Sequence, residues 1–190
     1  MIFNIPILLT WLRVVMIPLV VGVFYLPEGW LTVHEQNIAA TAIFVTGSIT
    51  DWIDGYLARK WNQTSAFGAF LDPVADKLMV AGALLVLVDL NRIHGIEGFI
   101  IIGREIAISA LREWMAAIGE GRSVAVSSMG KIKTIAQMIA IPMLLFYDDF
   151  LGIRIGVIGY WLLWLAAVLT IWSMFYYLRK AWPLIKDRAM

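Results

Sequence analysis

Cysteine is absent from this 190-residue chain, which excludes disulfide frameworks, thiol nucleophiles and cysteine metal sites. Charge is scarce: Asp, Glu, Lys and Arg make up 15% of the residues, and the formal net charge is +1. No basic run of the kind that tracks a polyanion is present, so no nucleic-acid partner is expected. Internal repeats and low-complexity segments are missing too. What fills the chain is apolar surface: 61% of residues are hydrophobic and the mean hydropathy is +0.81, far above the level of soluble domains. A helix needs about 20 mostly apolar residues to cross the hydrocarbon core, so the length suits about six spans with short connections.

The apolar stretches place spans at 7–26, 37–58, 70–90, 95–117, 131–147 and 153–178, separated by loops rich in Pro, Gly and charge. The expected fold is therefore an all-α, integral membrane bundle of six transmembrane helices, with residues 1–190 forming one domain. Met1 to Leu26 has neither a basic leader nor a small-residue cleavage pattern and is expected to be a retained first span. The loop 27–36 carries no Lys or Arg, whereas Arg59 and Lys60, then Arg122, Lys131 and Lys133, then Arg179, Lys180, Lys186 and Arg188 mark the alternate connections and the tail. The positive-inside rule then puts both termini on the cytoplasmic side. Trp30, Trp61, Tyr147, Tyr160, Trp161 and Trp182 fall near span ends and suit interfacial belts. His34 and His94 fall in the opposite loops and are expected to be solvated. The nine Met residues fit packing gaps, and Pro6, Pro18, Pro73 and Pro142 fit helix starts or kinks.

Against this apolar background four carboxylates stand out within 26 residues: Asp51, Asp54, Asp72 and Asp76. Ionisable groups in spans cost several kcal/mol, about 2.5–3.5 on insertion scales, so such a cluster signals function. On helices, spacings of three and four residues project each pair from one face. Two helices meeting there converge four anions, whose repulsion in a low dielectric must be relieved by protons or a cation. Oxygen-only ligands select a hard ion, Mg²⁺ first, then Mn²⁺ or Ca²⁺. The competing structural reading is helix capping, which Pro73 favours for Asp72, or pairing with Arg59, Lys60 and Lys77. Gly55, Ala58 and Gly68 let helices or a ligand approach the backbone closely.

The segment DWIDGYLARKWNQTSAFGAFLDPVAD, residues 51–76, resembles the CDP-alcohol phosphatidyltransferase family: it carries the DxxDGxxAR, eight residues, GxxxDxxxD pattern without departure. The resemblance implies a six-helix membrane fold, usually a homodimer, that exchanges CMP on a CDP-linked lipid for an alcohol. It further implies Asp51, Asp54 and Asp72 as metal ligands, Asp76 as general base in contact with metal, and Gly55, Ala58, Arg59 and Gly68 along the CDP site. The chemistry agrees: a metal on the pyrophosphate neutralises the leaving CMP, and a carboxylate crowded by three others suits proton acceptance from an alcohol.

Two further basic groups point to the acceptor: Arg104 and Arg112 in REIAISALR, eight residues or about two turns apart, and Lys131 and Lys133 in SMGKIKT. Cations sharing a face beside a polar cavity suit a phosphate; the alternatives are snorkelling or pairing with Glu105 and Glu113. NIPILLTWLR, REIAISALREW and GKIKT resemble the branch of the family that uses sn-glycerol 3-phosphate. That branch implies CDP-diacylglycerol as donor, phosphatidylglycerophosphate and CMP as products, a place in phosphatidylglycerol and cardiolipin synthesis, and a bacterial inner-membrane location with the site on the cytoplasmic side. Arg104, Arg112 and Lys131 would grip the acceptor phosphate, and Asn4, Thr10, Arg13 and Thr64 would extend the nucleotide site.

Three other readings compete. Inositol phosphate as acceptor would use the same cations, whereas serine would leave Arg104 and Arg112 without partners. Intramembrane Mg²⁺-dependent prenyltransferases carry two separate aspartate motifs, and a second copy is missing here. A cation channel needs an acidic path across the bilayer, which Glu28, Glu35, Asp89, Glu97, Asp148 and Asp149 do not mark.

Overall fold

The computed structural model describes residues 5–61, 66–119 and 128–189. Six helices dominate it: α1 (Ile5–Gly22), α2 (Val33–Lys60), α3 (Ala66–Asp89), α4 (Gly95–Ala117), α5 (Ser128–Phe146) and α6 (Ile155–Ala189). A 3₁₀ turn, Val23–Tyr25, follows α1, and two-residue strands β1 (Asp149–Phe150) and β2 (Ile153–Arg154) pair between α5 and α6. The protein is thus helical, as its apolar periodicity requires, apart from this small hairpin. Tyr147, Leu151 and Gly152 all take left-handed φ there, a chain reversal no apolar pattern announces.

Local chemistry sets the helix ends. α2 begins on a capping box in which Thr32 Oγ1 accepts from the Glu35 amide at 3.3 Å and Glu35 Oε2 accepts from the Thr32 amide at 2.7 Å, satisfying two donors a bare helix start would leave open. α3 closes through Leu90 and Arg92 amides bonded to the carbonyls of Val86 and Leu87, with Asn91 in the left-handed region that Asn tolerates. Two expectations about ends change. Pro73 lies seven residues inside α3, so Asp72 is not a helix cap; its carboxylate is free for tertiary work. Lys131 and Lys133 sit in the first turns of α5, not in a loop.

The stretches Leu8–Tyr25 and Ile155–Arg179 are long and apolar enough to cross a membrane, each with mean hydropathy 2.0, yet only 17% and 33% of them are buried. Their apolar residues therefore face outward, as in Leu8, Val15, Trp161 and Trp172, where a soluble protein would bury them. α6 runs on to Ala189, eleven residues beyond the expected end of the last span. Inside the bundle, Val20, Phe44, Leu84, Leu87, Ile141, Leu144 and Leu163 join α1, α2, α3, α5 and α6, while Ile108, Met115, Tyr177 and Ala181 form a second cluster between α4 and α6. Among lipids, helices associate through close packing at small residues. Gly159 on α6 is one: a Cβ there would stand 2.9 Å from Met143 Cβ and 3.2 Å from the Ala140 carbonyl oxygen.

At the end of α3 away from the aspartates, Arg92 ties four elements together. Its Nη1 donates to the Leu144 and Leu145 carbonyls at 2.9 and 2.6 Å, its Nη2 donates to Asn37 Oδ1 at 2.5 Å, and its guanidinium lies 5.6 Å from the Phe24 ring centre. Asn37 in turn donates to Asp148, which also receives His34 Nδ1 at 2.8 Å. His34 is exposed, as expected, but it is a bridge between α2 and the α5–β1 turn rather than a free solvated group. His94 is exposed at the N-cap of α4.

Candidate active site

The aspartate motif folds as its spacing dictates, and its partner comes from α1. Arg13, fully buried, places Nη1 2.7 Å from Asp51 Oδ1 and donates from Nη2 to Asp54 Oδ2 at 2.5 Å. One planar fork thus spans two carboxylates three residues apart on α2, a match Lys could not make. One turn earlier on α1, Thr10 donates to Asp72 Oδ1 of α3 at 2.5 Å. Asp76, a further turn along α3, is half-buried and within electrostatic reach of Asp51, Arg13, Glu105 and Lys77. The pairing alternative holds for Arg13; of the local cations, Lys77 turns away to Ser109 of α4 and Lys60 lies over the Tyr56 ring, while the side chain of Arg59 lies outside the described residues.

This donor set fits a hard cation. Every candidate ligand is a carboxylate oxygen, and the site already gathers positive charge, in the form of Arg13, at its centre. Among the described residues no three acidic or histidine side chains yet close around a common point; Arg13 holds two of them. Among the described residues Arg13 Nε is buried without a hydrogen-bond partner, while Nη1 is engaged by Asp51; the Nε–H leaves a donor for a phosphate oxygen.

A second polar cluster adjoins the first across the Lys77–Ser109 contact. Arg104, nearly buried on α4, donates from Nη1 to Glu105 at 3.1 Å and from Nη2 to Ser173 of α6 at 3.2 Å. Lys133 of α5, also buried, pairs with the same Glu105 oxygen. The guanidinium carbons of Arg104 and Arg112 lie 6.0 and 5.5 Å from the centre of the buried Tyr177 ring, confirming that residues eight apart share a face. Most telling, the Nε–H groups of Arg104 and Arg112 are buried with no hydrogen-bond partner among the described residues. Buried orphan donors cost about 1–3 kcal/mol each, and an anion bound between them would relieve that cost.

The structure joins most, but not all, of the expected site. Asp51, Asp54, Asp72, Asp76, Thr10 and Arg13 come together, with Thr10 and Arg13 reaching the carboxylates themselves. Gly55, Ala58 and Arg59 follow on α2, and Gly68 is buried in the first turn of α3; the surroundings of Gly55, Ala58 and Arg59 lie outside the described residues, as do Asn4 and Thr64 entirely. In the basic group, Arg104 and Arg112 lie on one face against Tyr177. The lysine that the structure brings to them is Lys133; the side chain of Lys131 lies outside the described residues. Helical spacing carries the signal for Lys133, because it continues the buried face Lys133, Gln137, Ala140 and Leu144 of α5. Glu105, Ser109, Ser173 and Tyr177 complete the cluster, and of these only Glu105 stood out in the sequence, as a pairing partner.

Comparison with known proteins adds independent findings. A family model described as CDP-alcohol phosphatidyltransferase matches residues 3–172. The chain is 51% identical over 182 residues to a Haemophilus influenzae protein named CDP-diacylglycerol–glycerol-3-phosphate 3-phosphatidyltransferase, covering 94% of each chain. Proteins of the same name from Escherichia coli K12, at 50% over 183 residues, and Sodalis glossinidius, at 52% over 182, match over similar shares.

Proposed function

The chain belongs to the CDP-alcohol phosphatidyltransferase family, and from that premise we propose that it transfers the phosphatidyl group of CDP-diacylglycerol to sn-glycerol 3-phosphate, releasing CMP and phosphatidylglycerophosphate. The names carried by its half-identical relatives support this acceptor over inositol phosphate. The single observation in the structure that carries the reading is the pair of buried Nε–H groups on Arg104 and Arg112 that have no partner among the described residues, beside Lys133 and one helix contact away from Asp76.

In this mechanism Asp51, Asp54 and Asp72 hold Mg²⁺ or Mn²⁺, which when bound neutralises the pyrophosphate and the departing CMP. Arg13, whose Nε–H has no partner among the described residues, orients a phosphate oxygen of the donor, and Thr10 keeps Asp72 in place. Arg104, Arg112 and Lys133 seize the acceptor phosphate, with Lys131 a further candidate from the same helix. The free primary hydroxyl of the acceptor then faces Asp76, which takes its proton as the oxygen attacks the phosphatidyl phosphorus. A new P–O bond forms, the bond to CMP breaks, and the proton on Asp76 passes to solvent. Gly55, Ala58, Arg59 and Gly68 line the CDP side, with Asn4 and Thr64 as outlying contacts.

All six helices are spans in this reading, since α2 to α5 hold 28, 24, 23 and 19 residues, lengths that suit the bilayer. The distribution of Lys and Arg supports a bacterial inner-membrane protein with both termini and the site facing the cytoplasm, and the family habit supports a homodimer. The test is direct: purified protein with Mg²⁺ should release CMP from CDP-diacylglycerol only when sn-glycerol 3-phosphate is added. Turnover with inositol phosphate instead would keep the family and overturn the acceptor.

A further inference from the structure

A second polar cavity, of about 320 Å³, opens at the other end of the bundle. Asp76 and Asp89 are thirteen residues apart on α3, about 20 Å at 1.5 Å per residue, so a cavity beside the α3–α4 turn is remote from the aspartates. Its walls include Arg92, His94, Tyr147, Asp149, Arg154 and Tyr160. Two arginines face one aspartate, and the neighbouring Asp148 is already engaged by His34 and Asn37. Arg92 is fixed in the wall by the α5 carbonyls and Asn37, and stacked 4.6 Å from the Tyr147 ring centre. Arg154 differs: it is exposed, and among the described residues it has neither an ion pair nor a hydrogen bond, although Asp149 sits opposite it in the hairpin register. α4 starts here with no side-chain cap on its N-cap His94, and the buried Glu97 of its first turn, which accepts from the cavity-lining Tyr160 at 3.2 Å, offsets its open amides, so the anion's counter-charge is left to the two arginines.

Between Asp149 and Arg154, which line the cavity, the hairpin is apolar. Phe150, Leu151 and Ile153 of the hairpin are 56%, 86% and 50% exposed. From Val157, which lines the cavity, an exposed stripe of Trp161, Leu165, Val168 and Trp172 descends one face of α6. A cationic hollow at the mouth of an apolar helix face matches a phosphate head with acyl chains below it, and a soluble anion would make no use of the stripe.

We propose that this cavity binds the phosphate of an anionic membrane phospholipid, with Arg154 as its free cation and the chains lying along the α6 stripe. The site is separate from the transfer reaction, so its test does not depend on which acceptor that reaction uses. Protein purified in nanodiscs of phosphatidylglycerol or of phosphatidylcholine would be released into the gas phase and its retained lipids counted by native mass spectrometry. The expected result is one phosphatidylglycerol retained by the wild type and by D51N, and retention at least tenfold lower in R154E and R154Q, with CMP release unchanged in both. Arg154→Lys should recover most of the retention. Equal retention in wild type, R154E and R154Q overturns the site. Protection of the site by inorganic phosphate or glycerophosphoglycerol as strong as by the lipid would assign it to a free anion and overturn the lipid occupant. Loss of the wild type's dimeric mass in R154E together with the lipid would assign the stripe to a second copy of the chain.

Discussion

Arg13 on α1 and Asp54 on α2 meet in a 2.5 Å hydrogen bond with both side chains buried, and the same guanidinium reaches Asp51. Removing one partner of a buried pair strands the other charge, at a cost of about 3–5 kcal/mol. Arg13→Met should therefore lower the thermal midpoint markedly in EDTA. If Arg13 and a divalent cation neutralise the same carboxylates, Mg²⁺ should restore more stability to Arg13→Met than it adds to the wild type. Thermal unfolding in detergent, with and without Mg²⁺, measures that gap; a gap no wider than in the wild type would separate Arg13 from the metal site.

Asp76 tests the division of labour among the carboxylates. Asp76→Asn keeps the shape and removes the proton acceptor, so CMP release should fall by about 10²–10⁴-fold, the usual worth of general base catalysis. Binding of CDP-diacylglycerol, followed by calorimetry with Mg²⁺, should persist. Binding lost as completely as turnover would move Asp76 into the metal-holding set.

The acceptor cluster predicts the opposite split. Arg112→Gln removes one of the two orphan donors above Tyr177 and leaves α1, α2 and α3 untouched. The KM for sn-glycerol 3-phosphate should rise at least tenfold, equivalent to about 1.4 kcal/mol of lost binding, while the affinity for CDP-diacylglycerol holds. Lys133→Met should do the same, and Lys133→Arg should recover part of the loss. A variant that weakened donor binding first would place these cations on the nucleotide side.

Much of this arrangement was legible in the sequence, because in a membrane chain apolar runs mark the helices and every charge inside them is an exception. The expected apolar stretches matched the helices α1 to α5 within a few residues, and the helical spacing of the aspartates put Asp51 and Asp54 on one face, where a single guanidinium meets both. What stayed hidden depends on contacts between distant segments. Nothing local to Arg13 shows that it reaches across 38 and 41 residues to Asp51 and Asp54, and the burial of Lys133 against Glu105 depends on which face of α5 packs inward. Arg92, in the turn after α3, reaches α2 through the Asn37 side chain and α5 through the Leu144 and Leu145 carbonyls, and backbone carbonyls carry no sequence signal at all. The hairpin escaped notice because two-residue strands have no period to read.

The bridge at the far end of the bundle has a pH signature. Burial alone would push the Asp148 carboxyl up, but hydrogen bonds from His34 and Asn37 and the charges of His34 and Arg92 outweigh it and hold the group below its ordinary value of 3.8. A depressed carboxyl adds stability above the unfolded-state value, and that stability drains away as pH falls through the folded value. Asp148→Asn should therefore be less stable than the wild type at pH 5 to 7, and the difference should close as pH drops below about 4. Chemical denaturation midpoints across that range provide the check; a difference that stayed constant would mean the His34 and Asn37 bonds do not depend on the charge.

A rigid helix contact makes the last prediction. Gly159 of α6 lies so close to α5 that an added Cβ would stand 2.9 Å from Met143 Cβ, 3.1 Å from Leu144 Cγ and 3.2 Å from the Ala140 carbonyl oxygen. Cβ and carbonyl atoms cannot swing aside as the end of a long side chain can, so the two helices must part. Gly47 offers the contrast: a Cβ there meets the flexible Sδ and Cε of Met79 at 2.7 and 2.5 Å, which can adopt another rotamer. Gly159→Ala should then cost about 1–3 kcal/mol, the usual penalty for overpacking, and Gly159→Val more, whereas Gly47→Ala should cost less than either. Because α5 carries Lys133 and α6 carries Ser173 and Tyr177, the parting of these helices should also raise the KM for sn-glycerol 3-phosphate. Unfolding midpoints and acceptor KM for the three variants decide it: if Gly47→Ala proves the most damaging, the rigid contact at Gly159 is not what holds α5 to α6.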